Sequence, residues 1–428
     1  MIAATFVIGS WLALVPVART AQLPGSSEAQ PGPSEVIAVV QVHGNNATPD
    51  AEILTASGLI VGAPFAPAVL TDTRARLLAT KRFEDVTVLK RYASISDPSR
   101  ISVLILVNER AVRIEPPGVP GGPPRLLRRG PLRNLMFMPV LDGEDGYGLT
   151  YGARLAYVDV PDKGSRFAFP LTWGGTKRVG AEFEQALKTG PIDRVQVGTS
   201  VQRRRNPAFD ANDDRTRVWA RVERAFGPLR LGGVVTSEHV SFEGTDERLS
   251  STGVDATVDT RLDPALPRNA VYAHASWTRF RVGGSTVDQR SVDARGYLGL
   301  VGQTILVGRL TRDDSSAALP RYLQPLLGGW SSLRGFKAGA FVGDTVATAS
   351  AELRVPLSSP LQMARTGISV FVDAGAAGPY GQRLADEPMH VGVGAGAWMT
   401  ATVFRLGISV AHGRHADTRV NFGLGVTF

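Results

Sequence analysis

RVNFGLGVTF, residues 419–428, divides into two faces when written as a strand. Val420, Phe422, Leu424, Val426 and Phe428 fall on one side, and Arg419, Asn421, Gly423, Gly425 and Thr427 on the other, because successive side chains of a strand alternate. Such a strand must lie between an apolar and a wet environment. The apolar side could be the dry middle of a two-sheet sandwich or the lipid around a barrel, and alternation alone does not choose between them.

The pattern recurs upstream. In VGVGAGAWM, residues 391–399, Val391, Val393, Ala395, Ala397 and Met399 oppose Gly392, Gly394, Gly396 and Trp398; in VDATVD, residues 254–259, Val254, Ala256 and Val258 oppose Asp255, Thr257 and Asp259. Turn signals such as DVPDKGS, TGPID, FGPLR, RLDPALPRNA and RVGGS separate the segments. Three features favour the membrane. The strands run to about ten residues or more, as a tilted crossing of the hydrocarbon layer requires. Their polar face carries charges and glycines, as a water-filled lumen would. The last apolar face ends on the aromatic Phe428. Segments counted from LRNLMFMPV to NFGLGVTF number about sixteen, an even figure. The expected fold is mainly β, with a transmembrane barrel over residues 131–428.

The chain of 428 residues has 47 glycines, no cysteine and a net charge of +8. After the N-terminus no run reaches the roughly 18 apolar residues of a membrane-spanning helix. The apolar start, IAATFVIGSWLALVPVA, reads as the core of a signal peptide over residues 1–21, and the Pro/Gly/Ser-rich residues 22–35 as a tether. Absence of cysteine suits an oxidising compartment where no disulfide is wanted, and many cytosolic proteins equally. The arginines are spread through alternating strands, so they read either as solvation of a polar interior or as a basic lumen or rim facing anionic headgroups or a polypeptide. Nucleic acid is not expected, because there is no arginine run with interleaved aromatics.

Residues 36–110 have another texture. VIAVVQVHG reads as a strand. TPDAEILTASG reads as a helix with Thr48 as cap, Pro49 in the first turn and a stop near Gly58. PAVLTDTRARLLATKRF is a second helix, apolar at Val69, Leu70, Leu77 and Leu78, and EDVTVLKRY and RISVLILVNE are two further strands. The order β-α-α-β-β makes one small α+β domain with its helices on one face of a sheet. Residues 111–130, rich in Pro and Gly, read as a hinge.

A long segment, Asp313 to Asp344, could fold back into so wide a barrel, and its LGGWSSLRGFKAGAF stretch places Arg334 among small residues. A guanidinium is suited to anchoring such a loop, since its planar fork makes bidentate bonds to carboxylates. Glu352, on a face with Ser350 and Arg354, and Asp373, on a face with Ser369 and Gly375, both point into the expected lumen.

Leu333-Arg334-Gly335-Phe336, the following strand with inward Glu352, the next ending Phe371-Val372-Asp373-Ala374-Gly375, and the terminal Phe428 together resemble the bacterial surface antigen family. These are outer-membrane assembly and polypeptide-transport barrels with periplasmic POTRA domains. Residues 36–110, with GLIVG between the helices and LLATKRFEDVTV leading into the second strand, are similar to one such domain; DTRLDPALPRNAVYAHASW resembles a strand opening of that family. The resemblance implies that Arg334 holds the loop to the wall through Glu352 and Asp373, with Gly335 allowing the turn and Phe336 packing nearby. It implies that the segment around Phe422, Gly423, Gly425 and Phe428 is the barrel's own insertion signal and forms a weak seam with the first strand. Gly423 and Gly425 fit a poorly held strand, and equally a lumen that needs room. The implied setting is the bacterial outer membrane with its lipopolysaccharide, the POTRA domain in the periplasm. The implied partners are unfolded outer-membrane or secreted polypeptides captured by β-augmentation, with periplasmic or lipoprotein partners at the POTRA domain. A passive pore or structural barrel is the competing expectation.

An enzyme is not expected. His412 and His415, beside Asp417, lie in a turn where solvated histidines are commoner than a metal site. His274, Ser276 and Tyr272 are too far apart along one strand for a nucleophile and base. Glu352 and Asp373 could be paired acid-base carboxylates, but their arginine favours a structural role. No cofactor and no metal are implied.

Overall fold

The computed structural model describes residues 35–428 apart from 46–47, 95–96, 110–111, 116–124, 129–134, 145, 163, 188, 263–265, 359–363, 401–403 and 427–428. The expected signal peptide, most of the tether and Phe428 lie outside the described residues.

The N-terminal domain has the order β1 (Val36–His43), α1 (Asp50–Ser57), α2 (Ala68–Ala79), β2 (Phe83–Tyr92) and β3 (Arg100–Glu109). The sheet order is β1-β3-β2, with β3 parallel to β1 and antiparallel to β2. Both helices turn their apolar stripes onto the sheet, so Ile53 and Leu77 meet Ile37, Val86, Ile101 and Ile105 in a dry core. The start of α1 differs from expectation. Pro49 rather than Thr48 is the cap residue, with no side-chain cap bond, and Asn45 instead braces the turn by donating to the Thr48 carbonyl (2.8 Å) and the Asp50 carboxylate (2.6 Å). Gly58 ends the helix at φ 67°, a left-handed conformation glycine adopts freely. The expected hinge contains a short ladder, β4 (Val112–Glu115) with β5 (Arg125–Arg128).

The remainder is a closed barrel of sixteen antiparallel strands. Eleven precede the long loop: β6 (Leu135–Glu144), β7 (Gly148–Val158), β8 (Ser165–Gly174), β9 (Thr176–Ala186), β10 (Arg194–Asn206), β11 (Ala211–Phe226), β12 (Leu229–Phe242), β13 (Thr245–Asp259), β14 (Ala270–Val282), β15 (Ser285–Gly299) and β16 (Ile305–Ser315). The loop carries a two-residue pair, β17 (Leu326–Leu327) with β18 (Phe341–Val342). Five strands follow it: β19 (Thr345–Ser358), β20 (Arg365–Gly378), β21 (His390–Thr400), β22 (Phe404–Gly413) and β23 (Thr418–Val426), and β23 returns to β6.

Sidedness settles the choice that alternation left open. Val201, Val218, Val235 and Val254, on four adjacent strands, are each more than half exposed on the outer wall. An apolar belt facing outward would be costly in water at about 25 cal/mol per Å2 and is what lipid requires. The inner wall is wet but neutralised. Arg221 is bidentate to Asp255 (2.6 and 2.8 Å), Arg178 and Arg154 meet Glu182, and Arg295 and Arg309 share Asp293. Part of the arginine excess of the sequence is thus an ion-pair lining of the lumen. Among the described residues no helix is long and apolar enough to cross a membrane.

Candidate functional site: the inserted loop and the closing seam

Residues 316–344 leave the end of β16 and fold into the lumen, bonded to the wall on both sides. On one side, Arg215 Nη2 donates to the Tyr322 carbonyl (2.7 Å), the Tyr322 hydroxyl bonds Glu247, and Arg321 meets Glu243 at 3.1 Å. The Tyr322 ring lies in an apolar cluster with Val240, Phe242 and Leu249. The foot of the loop is tied by Asp344, buried, whose carboxylate accepts the backbone N–H groups of Leu319 and Tyr380, each at 2.8 Å.

On the other side stands Arg334. Its Nε and Nη2 donate to the two oxygens of Asp373, both at 2.8 Å, and Nη1 donates to Glu352 at 2.9 Å. The Arg334 backbone N–H also reaches Asp373 (3.1 Å), as does the Ser350 hydroxyl (2.7 Å). The guanidinium carbon lies over the Phe371 ring, 3.3 Å from its centroid. Strand pleat explains the convergence. Ser350 and Glu352 on β19 lie opposite Asp373 and Phe371 on β20, so four inward side chains form one socket. Asp373 is 1% exposed and Arg334 9%, which removes both charges from bulk water and makes their mutual bonds obligatory. Burial works against the Arg334 charge, and the carboxylates of Asp373 and Glu352 outweigh it, holding the guanidinium above its ordinary value.

The rest of the turn fits into glycine-lined space. Gly335 has φ 96°, and a side chain there would lie 2.8 Å from the Gly413 nitrogen. Gly392 lets the Arg334 carbonyl approach the wall. Phe336 packs edge-on against Phe341 (5.3 Å) and His390 (5.7 Å). Trp330, not singled out from the sequence, lies over Gly407 and Gly423, so Gly423 makes room for its ring while Gly425 has open space about it. Beside the loop remains a cavity of about 560 Å3, bordered by Arg261, Arg309, Arg354, Arg405 and Trp398.

The seam is unlike the other ladders. Among the described residues β23 and β6 share three residue pairs, Gly423 with Glu144, Leu424 with Gly143, and Gly425 with Asp142, whereas β22 and β23 share nine. Phe422 faces outward at this edge, 42% exposed. The other sequence candidates do not assemble. His274 bonds Thr257 (2.9 Å) and His412 bonds Thr418 (3.1 Å), and among the described residues no cluster is arranged to hold a metal.

A sixteen-stranded barrel with an apolar outer belt, an ion-paired lumen and a loop folded into it defines a transmembrane β-barrel closed between its first and last strands. The Omp85 superfamily domain matches residues 161–428, and the chain belongs to that superfamily. Among solved structures it resembles BamA from Haemophilus ducreyi lacking POTRA domains 1-3, at 14% identity and TM-score 0.62, over 92% of this chain and 85% of that one. It also resembles CdiB from Escherichia coli, at 14% identity and TM-score 0.51, over 95% of this chain and 93% of the other. No curated protein matches it in sequence. The resemblance to the bacterial surface antigen barrels therefore holds, and with it an outer-membrane location and, at the level of the family, a part in protein insertion or polypeptide transport.

Proposed function

We propose that this barrel helps other polypeptides into or across the outer membrane, with residues 36–110 standing in the periplasm as a single POTRA domain. The observation that carries the reading is the seam, where β23 and β6 share three residue pairs among the described residues. A barrel that only conducts gains from a complete ladder, whereas one that exchanges edge bonds with a client needs a ladder that opens at low cost. Arg334, Gly335, Phe336, Glu352 and Asp373 keep the loop in the lumen, so the wall beside the seam stays rigid. The segment Phe422–Phe428 is the signal by which the barrel itself is inserted. Clients approach the N-terminal domain as an added strand. The edge of β2 suits this better than that of β1, where Ile37 already exchanges backbone bonds with Gly62 and Ala63.

Two measurements test this reading. Proteoliposomes containing the chain should fold a second, unfolded barrel protein about tenfold faster than empty liposomes, a change of about 1.4 kcal/mol in the barrier; conductance with no acceleration would leave a passive pore. Orientation is read on intact cells. Cysteine placed at exposed Asp386, in the β20–β21 turn, should react with an impermeant maleimide, and cysteine at Val301, 89% exposed in the β15–β16 turn, should not. The reverse pattern would put the N-terminal domain outside.

A further inference from the structure

The outer wall of β13–β16 changes character along its length. On β14 the outward residues run Val271, Ala273, Ala275, Trp277 and then Arg279, Arg281; on β15, Leu298, Ala294, Val292 and then Arg290; on β16, Leu306, Leu310 and then Arg312. On β13 Val258, Ala256 and Val254 give way to Thr252, Ser250 and Arg248. All five arginines are exposed at the end of the barrel from which the loop enters. At the opposite end of these four strands no charged side chain faces outward among the described residues.

Register places the five in a row. Arg281 is opposite Ser250, two residues from Arg248; Arg279 is opposite Asp288, two from Arg290; Arg290 is opposite Asp314, two from Arg312. Such diagonal positions lie about 7–8 Å apart. Two of the five are held upright by carboxylates, Arg279 by Asp288 (2.7 and 2.9 Å) and Arg312 by Asp314 (2.6 and 2.9 Å). Arg279 also packs over the Trp277 ring at 5.0 Å. Arg248 and Arg281 make no ion pair among the described residues. Arg290 makes none within salt-bridge distance but lies close enough to the outward Asp288 to feel its charge, and the outward Asp246, two residues from Arg248, reaches His239 at 3.8 Å.

We infer that this row binds the phosphates of an outer-leaflet phosphorylated glycolipid whose acyl chains lie on the apolar wall below. Guanidinium forks bind phosphate bidentately. The row continues directly into the lipid-facing band, so its ligand must carry acyl chains as well as phosphate. Its confinement to one end fits a lipid confined to one leaflet; a phospholipid present in both would call for cations at both ends. The inference rests on the orientation proposed above, but its test does not, because binding by purified protein has no sidedness.

The full chain in nanodiscs of zwitterionic phospholipid is titrated with bis-phosphorylated lipid A. Replacing Arg248, Arg281 and Arg290 by alanine together should weaken binding about a hundredfold, the equivalent of about 1 kcal/mol per arginine near a charged lipid surface. Folding of the variant is checked by its heat-dependent gel migration. If the triple variant does not fold, Arg281→Gln alone should weaken binding about fivefold on the same scale. The triple lysine variant, which keeps charge and loses the fork, should fall between parent and triple alanine. Unchanged affinity in a folded variant would overturn the inference. So would equally tight binding of phosphatidylglycerol, or displacement of lipid A by inorganic phosphate at equal concentration.

Discussion

A disulfide between Gly143→Cys and Leu424→Cys should stop client insertion while leaving the barrel folded. The two positions are register partners across the β6–β23 seam, and a Cβ added at Gly143 would lie 3.6 Å from that of Leu424, within the range a disulfide spans. The chain has no native cysteine to compete. One covalent bond at the middle of the three pairs that the described residues share locks those pairs together, so the strands cannot part there. Oxidised protein should lose at least about tenfold in client folding rate, and reductant should restore it. The same pair reduced, or a disulfide placed in the complete β11–β12 ladder, should change nothing. If the oxidised seam works as fast as the reduced one, clients do not use it, and the short ladder is only a consequence of strand length.

The fold was legible because alternation gives every strand an apolar and a wet face, and strand length, the charges on the wet face and the terminal aromatic favour lipid over a dry sandwich; parity then puts Val201, Val218, Val235 and Val254 on the apolar face. The socket was half legible. Parity put Glu352 and Asp373 in the lumen, and the order of motifs in the family resemblance joined them to Arg334. The same parity holds Ser350 and Phe371, yet nothing in a strand pattern says that a phenylalanine in a wet lumen is the floor under a guanidinium. Trp330 over Gly407 and Gly423, and Tyr322 against Arg215 and Glu247, were hidden for another reason. They join a loop tip to strands some 75 to 107 residues away, and the path of a loop through a cavity leaves no periodic trace. Glycine-rich β21–β23 carried the one usable signal, since an inner wall without side chains implies that something else fills the space. At α1 the sequence offered a threonine as cap, but Pro49 took the cap position and the bracing bonds came from Asn45, outside the helix.

Arg334→Ala should be among the most damaging single substitutions in the barrel, by about 3–5 kcal/mol, because it leaves buried acid without its base. The loss is uneven. Glu352 keeps Arg354, bonded at 2.8 Å, whereas Asp373 at 1% exposure would retain the Ser350 hydroxyl and a backbone N–H and no cation. Asp373 should therefore respond more strongly than Glu352: Asp373→Ala strands the guanidinium with one remaining carboxylate, and Glu352→Gln leaves the fork to Asp373 intact. Arg334→Lys separates charge from shape. An ammonium cannot make two parallel bonds to Asp373, reach Glu352 and lie over Phe371 at once, so lysine should recover only part of the loss. The measurements are the urea midpoint of the reconstituted barrel and the protease sensitivity of residues 316–344, which should rise together as the loop leaves the wall. Cleavage without loss of stability would mean that the socket positions the loop and the barrel stands without it. Parent-like behaviour of Arg334→Ala in both would mean that the Tyr322 and Asp344 contacts hold the loop by themselves.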